Sequence, residues 1–302
     1  MYYLIYIPLY VLSLLPLRVL YLLSDLVSFF LFRVFGYRRN VIEGNLAIAF
    51  PEKTEAERKA IARKFHRNFT DSFIETIKCL SVPKAFYDKH CTTDFSLFDE
   101  LAKEGLSCQM HACHQFNWEW INLHWSAHMK QPLAVVYMPI SSKPLDRLFY
   151  KLRSKYGTVL MPATDVKRSF IAWSRKLHCL ALVADQKPAS AGSSYWIDFF
   201  GKPTPFITGP DKNAILKKCP VVFGRAFKTG RGKYATSLTL ACKDASVLAP
   251  GALTLLYRDY IEDAIRRQPE MYLWSHKRFK FEWQEEYRGL WIDTRPAPAA
   301  TA

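Results

Sequence analysis

Gln109-Met110-His111-Ala112-Cys113-His114-Gln115-Phe116-Asn117-Trp118-Glu119-Trp120 lies between two contrasting textures. Before it, Leu106 to Met110 is an apolar run of the length of a short buried strand. After it, Trp118 to His128 has the length and pattern of a helix. The stretch is therefore expected to be a strand-to-helix turn, the unit from which α/β proteins are built. Within it His114 and Glu119 stand five positions apart. On one continuous helix that offset would splay the side chains by about 140°, at roughly 100° per residue. They can meet only if His114 lies in the turn and Glu119 in the first turn of the helix. A histidine there can take a proton from a hydroxyl near neutral pH, and a carboxylate behind it fixes its tautomer and stabilises the imidazolium. His114 and Glu119 are thus a candidate dyad for activating an alcohol.

Downstream and upstream, short apolar runs alternate with amphipathic segments. Strands are expected at Leu106 to Met110, Leu133 to Met138, His178 to Ala184, Tyr195 to Phe200, Val221 to Phe227 and Tyr234 to Ala241. Helices are expected at Trp118 to His128, Pro144 to Tyr156, Asp165 to Lys176, Asp211 to Lys218 and Leu253 to Arg267. This alternation predicts an α/β fold with a mixed central sheet flanked by helices. Before it, Glu52 to Leu80 carries apolar residues every three or four positions, with Thr54 and Glu57 placed as a capping box. The chain divides into an anchor at 1–35, a helical connector at 36–90, an α/β domain at 91–290 and a disordered tail at 291–302, rich in Pro and Ala from Thr294 onward.

Tyr2 to Phe35 is almost wholly apolar and aromatic. It lacks the basic start and the small-residue cleavage site of a signal peptide. The expectation is a retained membrane anchor, either one tilted, kinked helix or a re-entrant pair, with a buried helix pair of a soluble protein as the alternative. Arg33, Arg38 and Arg39 follow it and place the remainder in the cytoplasm. The seven cysteines are odd in number and widely spaced, which reads as reduced thiols.

The formal charge is +15, from 42 Lys and Arg against 27 Asp and Glu, and calls for an anionic partner. Lys143, Arg147, Lys151 and Lys155 recur every four residues on one helical face, flanked by Arg153, Lys167 and Arg168, and form a candidate docking patch. Nucleic acid is not expected, since no recognition motif accompanies the charge. No metal is expected either. Cys108, His111, Cys113 and His114 cluster, and His124 and His128 have the spacing that can place two imidazoles on one ion, yet no His-Glu-x-x-His or Cys-x-x-Cys accompanies them.

Several blocks in fixed order carry a resemblance. They are Asn45-Leu46 with Phe50-Pro51-Glu52, then His114 to Trp120, Leu145-Asp146-Arg147 running to Arg153 and Gly157, and Ala184-Asp185-Gln186. Phe199-Phe200-Gly201 with Thr204 and Thr208-Gly209 follow, and then Arg266 to Glu270 with Leu273 to Lys280. Over about residues 1 to 285 the chain resembles the late acyltransferases of lipid A biosynthesis, the lauroyl/myristoyl transferase family, and most of all its Bacteroidetes branch. The resemblance implies a glycerolipid-acyltransferase-like fold on the cytoplasmic face of the inner membrane. The implied activity moves a fatty acyl chain from acyl carrier protein to a hydroxyl of lipid A, an anionic glycolipid, with no cofactor. It maps the family's His-x4-Asp/Glu motif onto His114 as general base and Glu119 as its partner. Arg153, Asp185, Gln186 and Asn117 then become substrate-binding candidates. Phe116 departs from the Gly that many members of this branch carry before Asn-Trp-Glu, which bears on pocket shape.

An oxyanion formed on a thioester needs donors, for which the backbone amides after His114 or the Arg153 guanidinium are candidates. The residues also admit plainer readings: Arg153 as a surface ion pair, Asp185 as a strand-end cap, the basic face as a solvated one, and Trp118 and Trp120 as core or membrane-interface aromatics. Two other functions use the same features. One is acyl transfer to a lysophospholipid, an aminolipid or another glycolipid; the other is a non-catalytic protein that binds anionic lipid.

Overall fold

The computed structural model describes residues 1–298 apart from Ser174, and of Lys167 the backbone alone. The chain begins with helices α1 (Tyr2–Leu14) and α2 (Leu17–Ser28), the second continued by a π-helical turn, Phe29–Val34. Then come α3 (Arg39–Ala49), α4 (Glu55–Lys78), α5 (Lys84–His90), β1 (Cys91–Thr93), α6 (Ser96–Lys103), β2 (Cys108–Ala112), α7 (Trp118–His128) and β3 (Leu133–Tyr137). The second half holds α8 (Lys143–Arg153), β4 (Val159–Pro162), α9 (Val166–Trp173), β5 (Cys179–Val183), β6 (Tyr195–Phe199), β7 (Lys202–Phe206), α10 (Gly209–Lys217), β8 (Val221–Gly230), β9 (Lys233–Cys242) and α11 (Ala252–Arg267).

The expected strands form, at shifted ends, and all but β6 join a mostly parallel seven-stranded sheet in the order β1-β9-β8-β2-β5-β3-β4. β2 runs parallel to both neighbours, β5 and β8, and within this sheet, among the described residues, only β8 and β9 pair antiparallel. The mixed α/β architecture expected from the alternation is therefore the one observed. β1 and β4, which the pattern did not reveal, are the sheet's two edges, and β4 ends in Pro162, a residue that edges tolerate and centres do not. β7 was hidden in the same way by Pro203 and Pro205, and it pairs with β6 in a separate hairpin.

One apolar core runs from Phe32 on the π-helical turn through Phe65 and Phe69 on α4 to Trp274 and Phe279, so α4 packs on the sheet domain itself. Thr54 and Glu57 form the capping box their spacing predicted: Thr54 N donates to Glu57 Oε2 at 2.7 Å, and Thr54 Oγ1 accepts from Glu57 N at 3.3 Å. The seven cysteines are all free thiols.

No single helix among the described residues is long and apolar enough to cross a membrane. The segments Tyr2–Leu14 and Leu17–Val34 pass the same length and hydropathy criteria only together, and they are bent by 119°. The break falls at Leu15-Pro16, where Pro16 withholds the N–H a continuous helix would need. α2 is fastened inward by polar groups. Ser24 donates to Asp71 at 2.8 Å, Arg231 bridges Asp25 and Asp71, and Tyr21 donates to Glu75 at 2.7 Å. Its outward face is apolar and open, with Leu22 and Leu26 exposed, as are Leu4, Ile7 and Val11 on α1.

Of the tail expected to be disordered, 299–302 lie outside the described residues. The preceding part differs from that expectation: Asp293 accepts from the Arg258 guanidinium at 2.6 Å and from Asp198 N at 2.9 Å, and Ile292 N donates to Trp196 O.

Candidate active site

β2 and β5 are neighbours in the parallel sheet, with Ala112 level with Val183. Just past their carboxyl ends the chain leaves the sheet as two loops, the place where open α/β sheets keep their ligand sites. His114 lies in the first loop and Asp185 in the second. His114 Nδ1 is 2.7 Å from Asp185 Oδ1, and His114 Nε2 is 3.2 Å from Gln186 Nε2. Asp185 is only 1% exposed. Burial alone would push its carboxyl up, but the charge and hydrogen bonds of His114 hold it below the ordinary value, so it is a carboxylate that can only accept. The network therefore assigns the proton to Nδ1, donated to Asp185, and leaves the Nε2 lone pair to accept from the Gln186 amide.

The geometry corrects the expected pairing of His114 with Glu119. Glu119 does lie in the first turn of α7, but its carboxylate is taken by a two-pronged contact from Arg153. Nε donates to both carboxylate oxygens at 3.0 Å, and Nη2 donates to Oε1 at 2.6 Å. Trp118 Nε1 adds a donor at 3.2 Å. The reading of Arg153 as a surface ion pair fails as well, since Glu119 and Arg153 are 5% and 21% exposed. Both still line the cavity that His114 lines.

Asn117 is spent elsewhere. It is the N-cap of α7: its Oδ1 accepts from Glu119 N and Trp120 N at 3.0 and 3.3 Å, and its Nδ2 donates to Glu75 Oε2 at 2.8 Å. Asn117 is 1% exposed and is not among the residues that line the cavity, which takes it out of the expected substrate contacts. Glu75, which the sequence did not single out, also accepts from Tyr234 and Tyr21, and so joins the cap of α7 to α2.

The cavity holds about 620 Å³. Its polar lining includes His114, Gln186, Glu119 and Arg153, and its apolar lining includes Met110, Trp125, Val135 and Ala181, together with Gly224. Phe116, the departure from Gly, is buried outside it against Phe65, Phe69 and Trp118. The backbone amides after His114 are not available as oxyanion donors, because Gln115 N and Phe116 N donate to Cys113 O and Met271 O. Arg153 Nη1 remains without a hydrogen-bond partner among the described residues.

Distant blocks of sequence converge on these loops. Leu273 N donates to His114 O and Lys187 N donates to the His276 ring at 3.1 Å, while Asn45 Nδ2 holds the carbonyls of Trp274 and His276 at 2.8 and 2.7 Å. Of the expected docking patch, Lys143, Arg147 and Lys151 are exposed on α8, with Arg147 and Lys151 set 4.6 and 5.4 Å from the Tyr2 ring of α1. Lys155 falls beyond α8, and its ammonium donates to the carbonyls of Cys79 and Val82 at 3.1 and 2.7 Å, which takes it out of the patch. The Lys167 side chain lies outside the described residues.

Residues 1–281 match the family model described as bacterial lipid A biosynthesis acyltransferase. No curated protein matches the chain.

Proposed function

The chain belongs to the bacterial lipid A biosynthesis acyltransferase family and is an acyltransferase; on that premise we propose that it moves a fatty acyl chain from acyl carrier protein to a hydroxyl of a lipid A precursor, with His114 as general base. The observation that carries this reading is the pairing of His114 Nδ1 with the buried Asp185 carboxylate, which leaves the Nε2 lone pair to accept a proton beside a largely apolar cavity that His114 lines.

The acceptor oxygen attacks the thioester carbonyl as His114 Nε2 takes its proton, and the Gln186 amide yields its place on Nε2 to that hydroxyl. Negative charge then gathers on the former carbonyl oxygen, for which Arg153 Nη1 is the donor. Collapse of the tetrahedral intermediate re-forms the carbonyl and breaks the C–S bond. The imidazolium returns the proton to the departing thiolate. Asp185 holds the tautomer and the transient positive charge, while Glu119 acts through Arg153 by fixing its guanidinium. The acyl chain occupies the apolar depth of the cavity.

Lys143, Arg147 and Lys151 are the docking surface for the acidic carrier protein. The bent pair α1 and α2 is the membrane anchor. Its inward face is tied down by Ser24 and Tyr21 while its outward face is apolar, the reverse of what water selects. Leu4→Glu combined with Leu22→Glu should move the protein from the membrane fraction to the soluble one, and unchanged fractionation would remove the anchor.

The test is transfer by the purified protein of a labelled acyl group from acyl carrier protein to a lipid A precursor, with a lysophospholipid as the competing acceptor. Transfer to the precursor by wild type, abolished in His114→Ala, is expected. Transfer only to the lysophospholipid would reassign the acceptor, and unaltered turnover in His114→Ala would remove the base.

A further inference from the structure

We propose that Asp88, His124 and His128 form a binding site for a divalent transition-metal ion, zinc by the nature of its donors, bracing α5 against the C-terminal end of α7. His124 and His128 are one helical turn apart on α7, so their rings share a face, with centroids 4.8 Å apart. The third ligand comes from α5, which sequence spacing gave no reason to bring there. Asp88 Oδ1 lies 2.6 Å from His128 Nε2 and 4.0 Å from His124 Nδ1, and one donor atom from each residue lies within 4.8 Å of the others.

His124 gives the cluster its direction toward a ligand. It is 5% exposed, and among the described residues neither of its ring nitrogens has a hydrogen-bond partner. A buried imidazole that satisfies neither nitrogen is costly, and such groups in native proteins call for a water or an ion. Phe95 packs over both rings, at 5.6 Å from His124 and 6.0 Å from His128, and shields the site on one side.

Tetrahedral zinc with bonds of ~2.0 Å sets its ligand atoms about 3.3 Å apart. The separations of 2.6 and 4.0 Å lie on either side of that value. The adjustment falls on Asp88 and His128, whose side chains are 44% and 30% exposed and have room to move. Two imidazoles and one carboxylate suit zinc rather than magnesium or calcium, and solvent supplies the fourth ligand. The nearby Lys84 ammonium is committed to Ala127 O at 2.6 Å.

The role is mechanical. None of the three residues lines the cavity at His114. α5 carries Phe86, Tyr87 and His90, which pack around Trp120 in the first turn of α7 at 5.0, 6.3 and 5.3 Å. A metal at the far end of α7 therefore fixes the helix whose start carries Asn117 and Glu119.

The test uses the full-length protein in detergent, stripped with a chelator and dialysed against buffered zinc. Bound metal is measured by mass spectrometry and stability by thermal unfolding. Wild type and His114→Ala should each retain one zinc per chain and unfold at a higher temperature with it. Asp88→Asn with His128→Gln, two partly exposed positions that leave the fold intact, should lose both effects. Absence of retained zinc in wild type would overturn the site, as would equal retention in the double variant, which would place the ion elsewhere.

Discussion

His114 and Asp185 each stand two residues beyond Ala112 and Val183, which are register partners in the adjacent parallel strands β2 and β5, and their side chains meet at 2.7 Å. Parallel neighbours advance side by side, so equal offsets past a matched pair bring two loop residues level. This closes a gap of 71 residues. The carboxylate can only accept, whereas the amide in Asp185→Asn can donate to Nδ1 and favour the tautomer with the proton on Nε2. We expect turnover to fall by a factor on the order of 10²–10⁴ with the fold retained, as measured by transfer rate and circular dichroism. Turnover within a few-fold of wild type would contradict the assignment.

Glu119 and Arg153 form a nearly buried pair that lines the same cavity as His114. Glu119→Ala strands the guanidinium, at a cost of about 3 kcal/mol in stability. Adding Arg153→Met should recover most of that stability without recovering transfer, because the proposed oxyanion donor is then missing. Thermal unfolding and turnover, measured on both variants, separate the structural part of the pair from its part in the reaction.

Gly224 sets the width of the cavity wall. A Cβ added there would stand 3.1 Å from Met110 Sδ and 3.3 Å from the Trp125 ring, so Gly224→Val must push into the space between them. With a panel of acyl donors, the variant should shift its preference toward shorter chains. Loss of rate that is equal for all chain lengths would place the chain elsewhere.

Stability should fall in mild acid. Burial lowers His66 to about 4 and His111 to about 3, and His276 is lowered to about 4 by burial, aided by Arg278 and His114. The unfolded chain takes up protons at these histidines below about pH 6.5, where the folded one does not, so each contributes stability that is present above that value. It is lost progressively as pH drops from about 6.5 toward 4. Thermal unfolding across that window should show a falling midpoint, and a midpoint flat from pH 7 to 4 would contradict the burial of these rings.

Much of this site was legible because it is local. The apolar run before Cys113 and the helical pattern from Trp118 are contiguous in sequence, so strand, turn and helix could be read, and with them the place of His114, whereas Asn117, a substrate-binding candidate by resemblance, is the cap of α7. Asp185 was marked as a pocket residue, but its contact with His114 depends on the 112-to-183 register, which no local pattern records. The same limit gave His114 the wrong carboxylate partner, since Glu119 was near in sequence while its actual partner, Arg153, arrives from α8. Lys155 kept the four-residue rhythm of the basic face but fell beyond the end of α8, where its ammonium meets the carbonyls after α4. Asp88 was invisible as a neighbour of His124 because only the packing of α5 on α7 brings them together.

The most direct test of the central claim is mass spectrometry of lipid A from cells lacking the gene, complemented with wild type or with His114→Ala. Lipid A lacking one acyl chain, restored by wild type and not by His114→Ala, is the result this account predicts. Unchanged lipid A on loss of the gene, or full restoration by His114→Ala, would contradict it.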